Sequence, residues 1–275
     1  KEAFLKDELK KAAESLLDGD TIIIVTGFAI KDAAAGETDG PIGAVSLAGA
    51  LEELGKKVVL ITDGFSGNIL KSCAEARGIR STIEIINHDI SKLHAKEIID
   101  IYKPSHIIAV ERPGKSRDGK CYSMRGEDIS DIVPMMDELF EEAKKVGITT
   151  IAVGDGGNEI GMGKISNLVM DLVSNGELIC ASFASDFLIV SGVSNWGAHA
   201  LVAGLSILTG MNLLHDINTE ILMLQKMVEA GAVDGCTKIK TMTVDGISLE
   251  ENLRILMELK YVIQQKIKYI KDVSQ

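Results

Sequence analysis

No apolar run in this sequence reaches the roughly 18 residues that a membrane span needs, and no leader with a secretory pattern is visible. A helical membrane protein is therefore not expected. Cysteine is sparse. Cys73, Cys121, Cys180 and Cys236 are scattered, with no C-x-x-C pair. That spacing argues against a zinc ribbon or a dithiol redox centre and fits reduced thiols in a cytoplasmic protein. The five histidines, His88, His94, His106, His199 and His215, show neither H-x-x-x-H nor H-E-x-x-H spacing. Each is read as packed or exposed rather than metal-bound. No G-x-S-x-G elbow occurs, which disfavours a serine hydrolase. Positive charge is short as well: 29 Lys and Arg against 40 Asp and Glu give a formal charge of −11. Nucleic acid and anionic lipid are poor partners for such a chain. A small anionic substrate is not excluded, because a few local arginines suffice to hold one.

What the chain does contain is an alternation of helical and apolar-strand patterns. Strands are expected at 21–27, 56–62, 82–86, 106–111 and 148–154, with further short candidates at 178–182, 187–192 and 240–246. Helices are expected at 3–17, 42–54, 66–78, 91–102, 128–147, 162–175, 195–209, 215–230 and 248–272, with Pro134 as a rival start for the fifth. Continuous apolar strands between helices predict an α/β fold. It is a doubly wound, mostly parallel sheet with helices on both faces, a three-layer sandwich. One domain is expected over 1–275, helix-rich from about residue 212.

Ligands of such sheets bind beyond the carboxyl ends of the strands. The segments following five predicted strands are rich in Gly, Asp, Asn and Arg, while the opposite connections are short and plain. The most unusual is GDGGNEIGMGK, residues 154–164. It fails the dinucleotide fingerprint G-x-G-x-x-G because Glu159 stands at the third glycine. It fails the phosphate-loop pattern at Asn158 and Ile165. Asp155 and Glu159 would repel a polyphosphate, yet they suit an ammonium group, a proton transfer or a hard divalent cation. ETDGPIG repeats the style with Glu37 and Asp39, where Asp39 is also read as a helix cap. Arg112 and Arg125 sit at the roots of the loop 111–126 and suit bidentate contact with a carboxylate.

With TGF (26–28), ETDGPIGA (37–44), ERPG (111–114), DGKCYSMRG (118–126), GDGGNEIGMGK and GVSNWG (192–197), the chain resembles the D-glutamate cyclase family. The resembling part is the domain that forms the C-terminal portion of the mitochondrial enzyme and also occurs free-standing in prokaryotes. The resemblance implies a lyase that reversibly dehydrates D-glutamate to 5-oxo-D-proline. It also implies a further N-terminal domain that this sequence does not show, and hence a separate protein of that type as a candidate partner. Within that frame, Asp155, Glu159 and Asp39 are the expected acid–base groups. Arg112, Arg125, Asp118, Tyr122, Asn158, Asn195 and the N–H groups of Gly156 and Gly157 are the expected substrate contacts. A divalent cation (Mg, Mn or Ca) on Asp39, Asp155 or Glu159 is an open variant, as is a homo-oligomer. Two other readings stand beside it. One is a non-catalytic amino-acid or nucleotide binding module, or half of a two-component enzyme. The other is a metal-dependent phosphate-ester enzyme.

Overall fold

The computed structural model describes residues 5–273. Six parallel strands form the central sheet: β1 (Thr21–Thr26), β4 (Lys57–Thr62), β5 (Thr82–Ile85), β6 (His106–Val110), β7 (Thr149–Gly154) and β8 (Phe187–Val190). The labels β2 (Ala29–Ile30) and β3 (Ala35–Gly36) belong to a small antiparallel hairpin after β1. The helices are α1 (Glu8–Leu17), α2 (Pro41–Glu53), α3 (Gly64–Arg77), α4 (Lys92–Tyr102), α5 (Asp137–Lys145), α6 (Ser166–Leu172), α7 (Gly176–Ile179), α8 (Ser194–Thr209), α9 (Ile217–Glu229) and α10 (Leu249–Val273).

The strand order is β5-β4-β1-β6-β7-β8. The chain winds outward from β1 to β5, then returns to β6 and winds the other way. β1 and β6 thus flank the switch point, where doubly wound sheets open a crevice. Alternation along the strands supplies both faces. Ile22 and Ile24 of β1 enter one core with α2, α3 and α8, while Ile23 and Val25 enter the other with α4 and α5. Each fully buried aliphatic side chain of this kind contributes roughly 1.5–3 kcal/mol. α9 packs on α3 and α10 packs on α8, adding an outer layer on the first face. The expected helix-rich segment after 212 is this layer. No helix among the described residues is long and apolar enough to cross a membrane.

Several expected elements differ. The first expected helix begins at Ala3, outside the described residues; its described part starts at Glu8. The fifth is α5 alone. Residues 128–136 instead form a loop whose Ile129 and Val133 fill a satellite core with Phe28, Ala29 and Cys121, and Pro134 bars the preceding residue from helical geometry. The candidate strand 178–182 is the end of α7 and a connection that braces the glycine-rich loop: Ala181 N–H donates to Gly157 O and Ser182 N–H to Lys115 O. The candidate strand 240–246 makes only a Val244–Ile247 bridge.

Candidate active site

The loops after β1, β6, β7 and β8 meet over the switch point, and the segment 233–247 joins them from the side of α9. Together they enclose a cavity of about 450 Å³. Its polar lining is mostly acidic: Glu37, Glu111, Asp155 and Asp245 reach it, with Asp32 and Glu127 at the mouth. Asp39 lies against the same group. Carboxylate oxygens of Asp39, Asp155 and Asp245 lie within 4.8 Å of one another, and so do those of Glu111, Asp155 and Glu159. Asp155 belongs to both triads.

The glycine-rich loop explains its own glutamate. Glu159 Oε1 accepts the N–H of Asp155 at 2.9 Å and of Gly156 at 2.6 Å, and Oε2 accepts the N–H of Gly157 at 2.6 Å. The nest of backbone donors that would cradle a phosphate is filled by a side chain three residues on. The N–H groups of Gly156 and Gly157, expected to face substrate, therefore already have an acceptor, and Glu159 has both oxygens engaged. Asn158 lines the cavity while its Nδ2 donates to Tyr122 O at 2.7 Å. Asp155 Oδ2 is buried without a hydrogen-bond partner among the described residues.

Asp39 and Asn195 form a reciprocal clasp. Asp39 Oδ1 accepts the N–H of Asn195 and Oδ2 that of Ser194, both at 2.8 Å, at the start of α8. Asn195 Oδ1 accepts the N–H of Gly40 at 3.0 Å and Gly43 at 2.7 Å, at the start of α2. Each side chain caps the other's helix; Asp39 Oδ1 also accepts the N–H of Gly40 at 2.9 Å, just ahead of α2. The Asn195 amide nitrogen donates to Thr38 O at 3.2 Å, so this amide is occupied on both sides. Asn195→Ala should lower stability by about 1–2 kcal/mol, the size of a lost cap, as read by thermal unfolding; no change would mean that the clasp contributes nothing.

Arg112 is fully buried and does not line the cavity. Its Nη1 donates to Gly27 O at 3.0 Å and to Asp63, and its Nη2 to Pro134 O at 2.5 Å. Asp118 and Tyr122 also lie off the cavity and bond each other, Tyr122 Oη donating to Asp118 at 2.5 Å. Arg125 does reach it. It is exposed at the mouth, without an ion pair among the described residues, while Lys31 and Lys238 beside it are paired with Asp131 and Asp32.

Three acids of the cluster were not among the expected site residues. Glu37 is 6% exposed. A Cβ on Gly235 would sit 2.0 Å from its Oε2, so the chain passes it at a distance only glycine allows. Glu111 sits at the end of β6 with φ 45° and accepts from Ser194 Oγ at 2.6 Å. Asp245 has φ 53°. Left-handed backbone at two non-glycine acids is strain of the kind that gathers at functional sites. The available signals were acid–glycine pairs, VDG at 244–246 like GDG at 154–156, and an acid at a strand's carboxyl end.

Burial is the main cause of the shifts in this cluster, and neighbouring acids add to it. It raises Asp39 to about 8, with the Asp245 charge next and the N–H groups of Asn195, Ser194 and Gly40 opposing. Burial first, then the Asp245 and Asp39 charges, puts Glu37 well above the usual carboxylate range. Burial and Glu159 do the same to Glu111. Asp155 is raised by burial, then Glu111 and Asp39; Asp245 is raised by burial as well. Such a cluster must hold protons or a cation. Two sets are placed to hold a cation, Asp39 with Asp155 and Asp245, and Glu111 with Asp155 and Glu159. In each set one member, Asp39 or Glu159, already accepts backbone N–H groups on both oxygens.

Fold and site together define a doubly wound α/β protein with a cluster of buried carboxylates around a cavity at its switch point. A family model described as D-glutamate cyclase-like, C-terminal, matches residues 1–260. The chain belongs to that family. It is 37% identical over 217 residues to the human protein named D-glutamate cyclase, mitochondrial; the match covers 74% of this chain and 35% of that protein. The chain thus spans about a third of the length of the curated relative it matches.

Proposed function

We propose that the cavity catalyses the reversible dehydration of D-glutamate to 5-oxo-D-proline. The observation that carries this reading is the convergence of two carboxylate triads on Asp155, in a chain of this family. Ring closure forms a C–N bond between the amine and the γ-carboxyl carbon, and one carboxyl oxygen leaves as water. On the way to the lactam the ammonium nitrogen loses two protons, and the carboxylate oxygen that leaves as water gains two. Adjacent acids that share protons near neutral pH suit both transfers. Asp155, when ionised, takes a proton from the ammonium nitrogen, and Asp245 and Glu111, each in one triad with it, are proton stores. Arg125 at the mouth pairs with a substrate carboxylate. Mg²⁺ or Mn²⁺ on Asp39, Asp155 and Asp245 would draw charge from the γ-carboxyl. A phosphate ester gains less from this loop, since Glu159 fills its N–H nest.

The purified chain is incubated with D-glutamate and with 5-oxo-D-proline, with and without Mg²⁺ or Mn²⁺, and followed by chiral chromatography. Interconversion is expected. None under any condition overturns the reading, and stabilisation by D-glutamate without turnover would instead mark a binding module.

The same acids set a pH dependence. The folded pKa of Asp39, about 8, lies above its usual 3.8. Between these values the folded protein holds a proton that the unfolded chain has released, so stability falls as pH rises and levels off above the folded pKa. His199 opposes this at lower pH, because burial lowers it from 6.5 to about 4. Between pH 6.5 and 8 the acids act alone of the two. In chelator-containing buffer the unfolding temperature should therefore drop across that window, and Mn²⁺ should restore it by replacing the proton. A rise across the window without metal would contradict the raised pKa values.

A further inference from the structure

A second polar cluster lies among the helices, outside the cavity lining. His199 comes from α8, His215 from the turn before α9, and Glu220 from the first turn of α9. They are 1%, 6% and 5% exposed. His215 Nε2 is 2.5 Å from Glu220 Oε2, and His199 Nε2 is 3.6 Å from the same oxygen. The three atoms all lie within 4.8 Å of one another. The rings meet edge to face, with centroids 5.3 Å apart.

Two further observations point to a ligand. His199 Nε2 has no hydrogen-bond partner among the described residues, although the residue is almost wholly buried. A buried ring nitrogen of this kind ordinarily has one. The outer nitrogen of His215, Nδ1, lies 3.1 Å from Ser46 Oγ. A hydroxyl on the far nitrogen fixes the ring with Nε2 turned inward, which is how metal-bound imidazoles are held. The sequence showed no motif here because the histidines stand on different elements, joined only when α9 folds onto α3 beside α8.

We propose that His199, His215 and Glu220 bind a zinc-class divalent cation that ties the α9 layer to α8 and, through Ser46, to α2. Two imidazoles and one carboxylate are the donor set of zinc and its first-row neighbours, while magnesium and calcium prefer oxygen alone. Bonds of roughly 2.0–2.1 Å fit once His215 and Glu220 part by less than about 1 Å. The site needs no part of the cyclase reading and can be tested without turnover.

The protein, stripped with chelator, is titrated with Co²⁺ as a spectroscopic stand-in for Zn²⁺. The Asp245→Asn background removes one of the two carboxylate sets at the cavity, and the other offers only oxygen, so nitrogen-ligand bands report the histidines. One equivalent should bind with visible bands of a low-coordinate nitrogen site, displaced by Zn²⁺, and with an upward shift in unfolding temperature. His199→Ala, which removes no hydrogen bond of Nε2, should abolish the bands while circular dichroism stays unchanged. Bands that persist in His199→Ala overturn the proposal. Absence of any such bands in the parent protein also overturns it, whether or not the variant folds.

Discussion

Asp155→Asn should lower D-glutamate turnover by about 10³-fold, within the range that a positioned proton-transfer group contributes, and leave the fold intact. Asp155 is the member shared by both triads, and its Oδ2 has no hydrogen-bond partner among the described residues. Asparagine keeps the shape and removes the proton site. The protein should also unfold at a higher temperature above pH 7, because one of several crowded buried acids is gone. Loss of turnover with equal or greater stability separates a chemical role from a structural one. An unchanged rate would remove Asp155 from the mechanism, and a collapse in stability would mean that the residue holds the loop.

Arg112→Met should act in the opposite sense. Removing one partner of a buried ion pair leaves the other charge uncompensated and costs about 3–5 kcal/mol. Here Asp63 would be stranded, and the carbonyls of Gly27 and Pro134 would lose their donors. At about 2–4 °C per kcal/mol for a chain near this size, the unfolding temperature should fall by roughly 10 °C. The Michaelis constant of the folded fraction should move little, because Arg112 stands behind the cavity. A large rise in that constant with unchanged stability would return Arg112 to the substrate. The same experiment on Arg125 should give the reverse pattern.

These two residues mark what the sequence could show. The doubly wound sheet was legible because β-branched runs such as TIIIVT admit little else between helices. The site's location followed from the glycine and acid loops at one set of strand ends. Orientation was not legible. Arg112 and Arg125 both flank one loop, yet only burial against Asp63 tells the structural arginine from the one at the mouth. Glu159 looked like a catalytic acid because spacing alone cannot show that three N–H groups turn back onto it. Asp245 was missed for another reason. It lies 90 residues after Asp155, on a segment that reaches the site by folding back onto residues 36–38, where Val233 bonds Gly36 and Thr38, and Thr38 Oγ1 donates to Thr243 O.

The clasp between Asp39 and Asn195 has an electrostatic consequence. It brings the amino ends of α2 and α8 together beneath the carboxylates, and each helix end carries roughly half a positive charge. Two such ends give the cavity a fixed countercharge built from peptide groups. No proton can leave it, and no side-chain substitution deletes it. The acids above can therefore lose a proton, or pass one to a substrate, over a floor whose potential stays constant throughout the exchange.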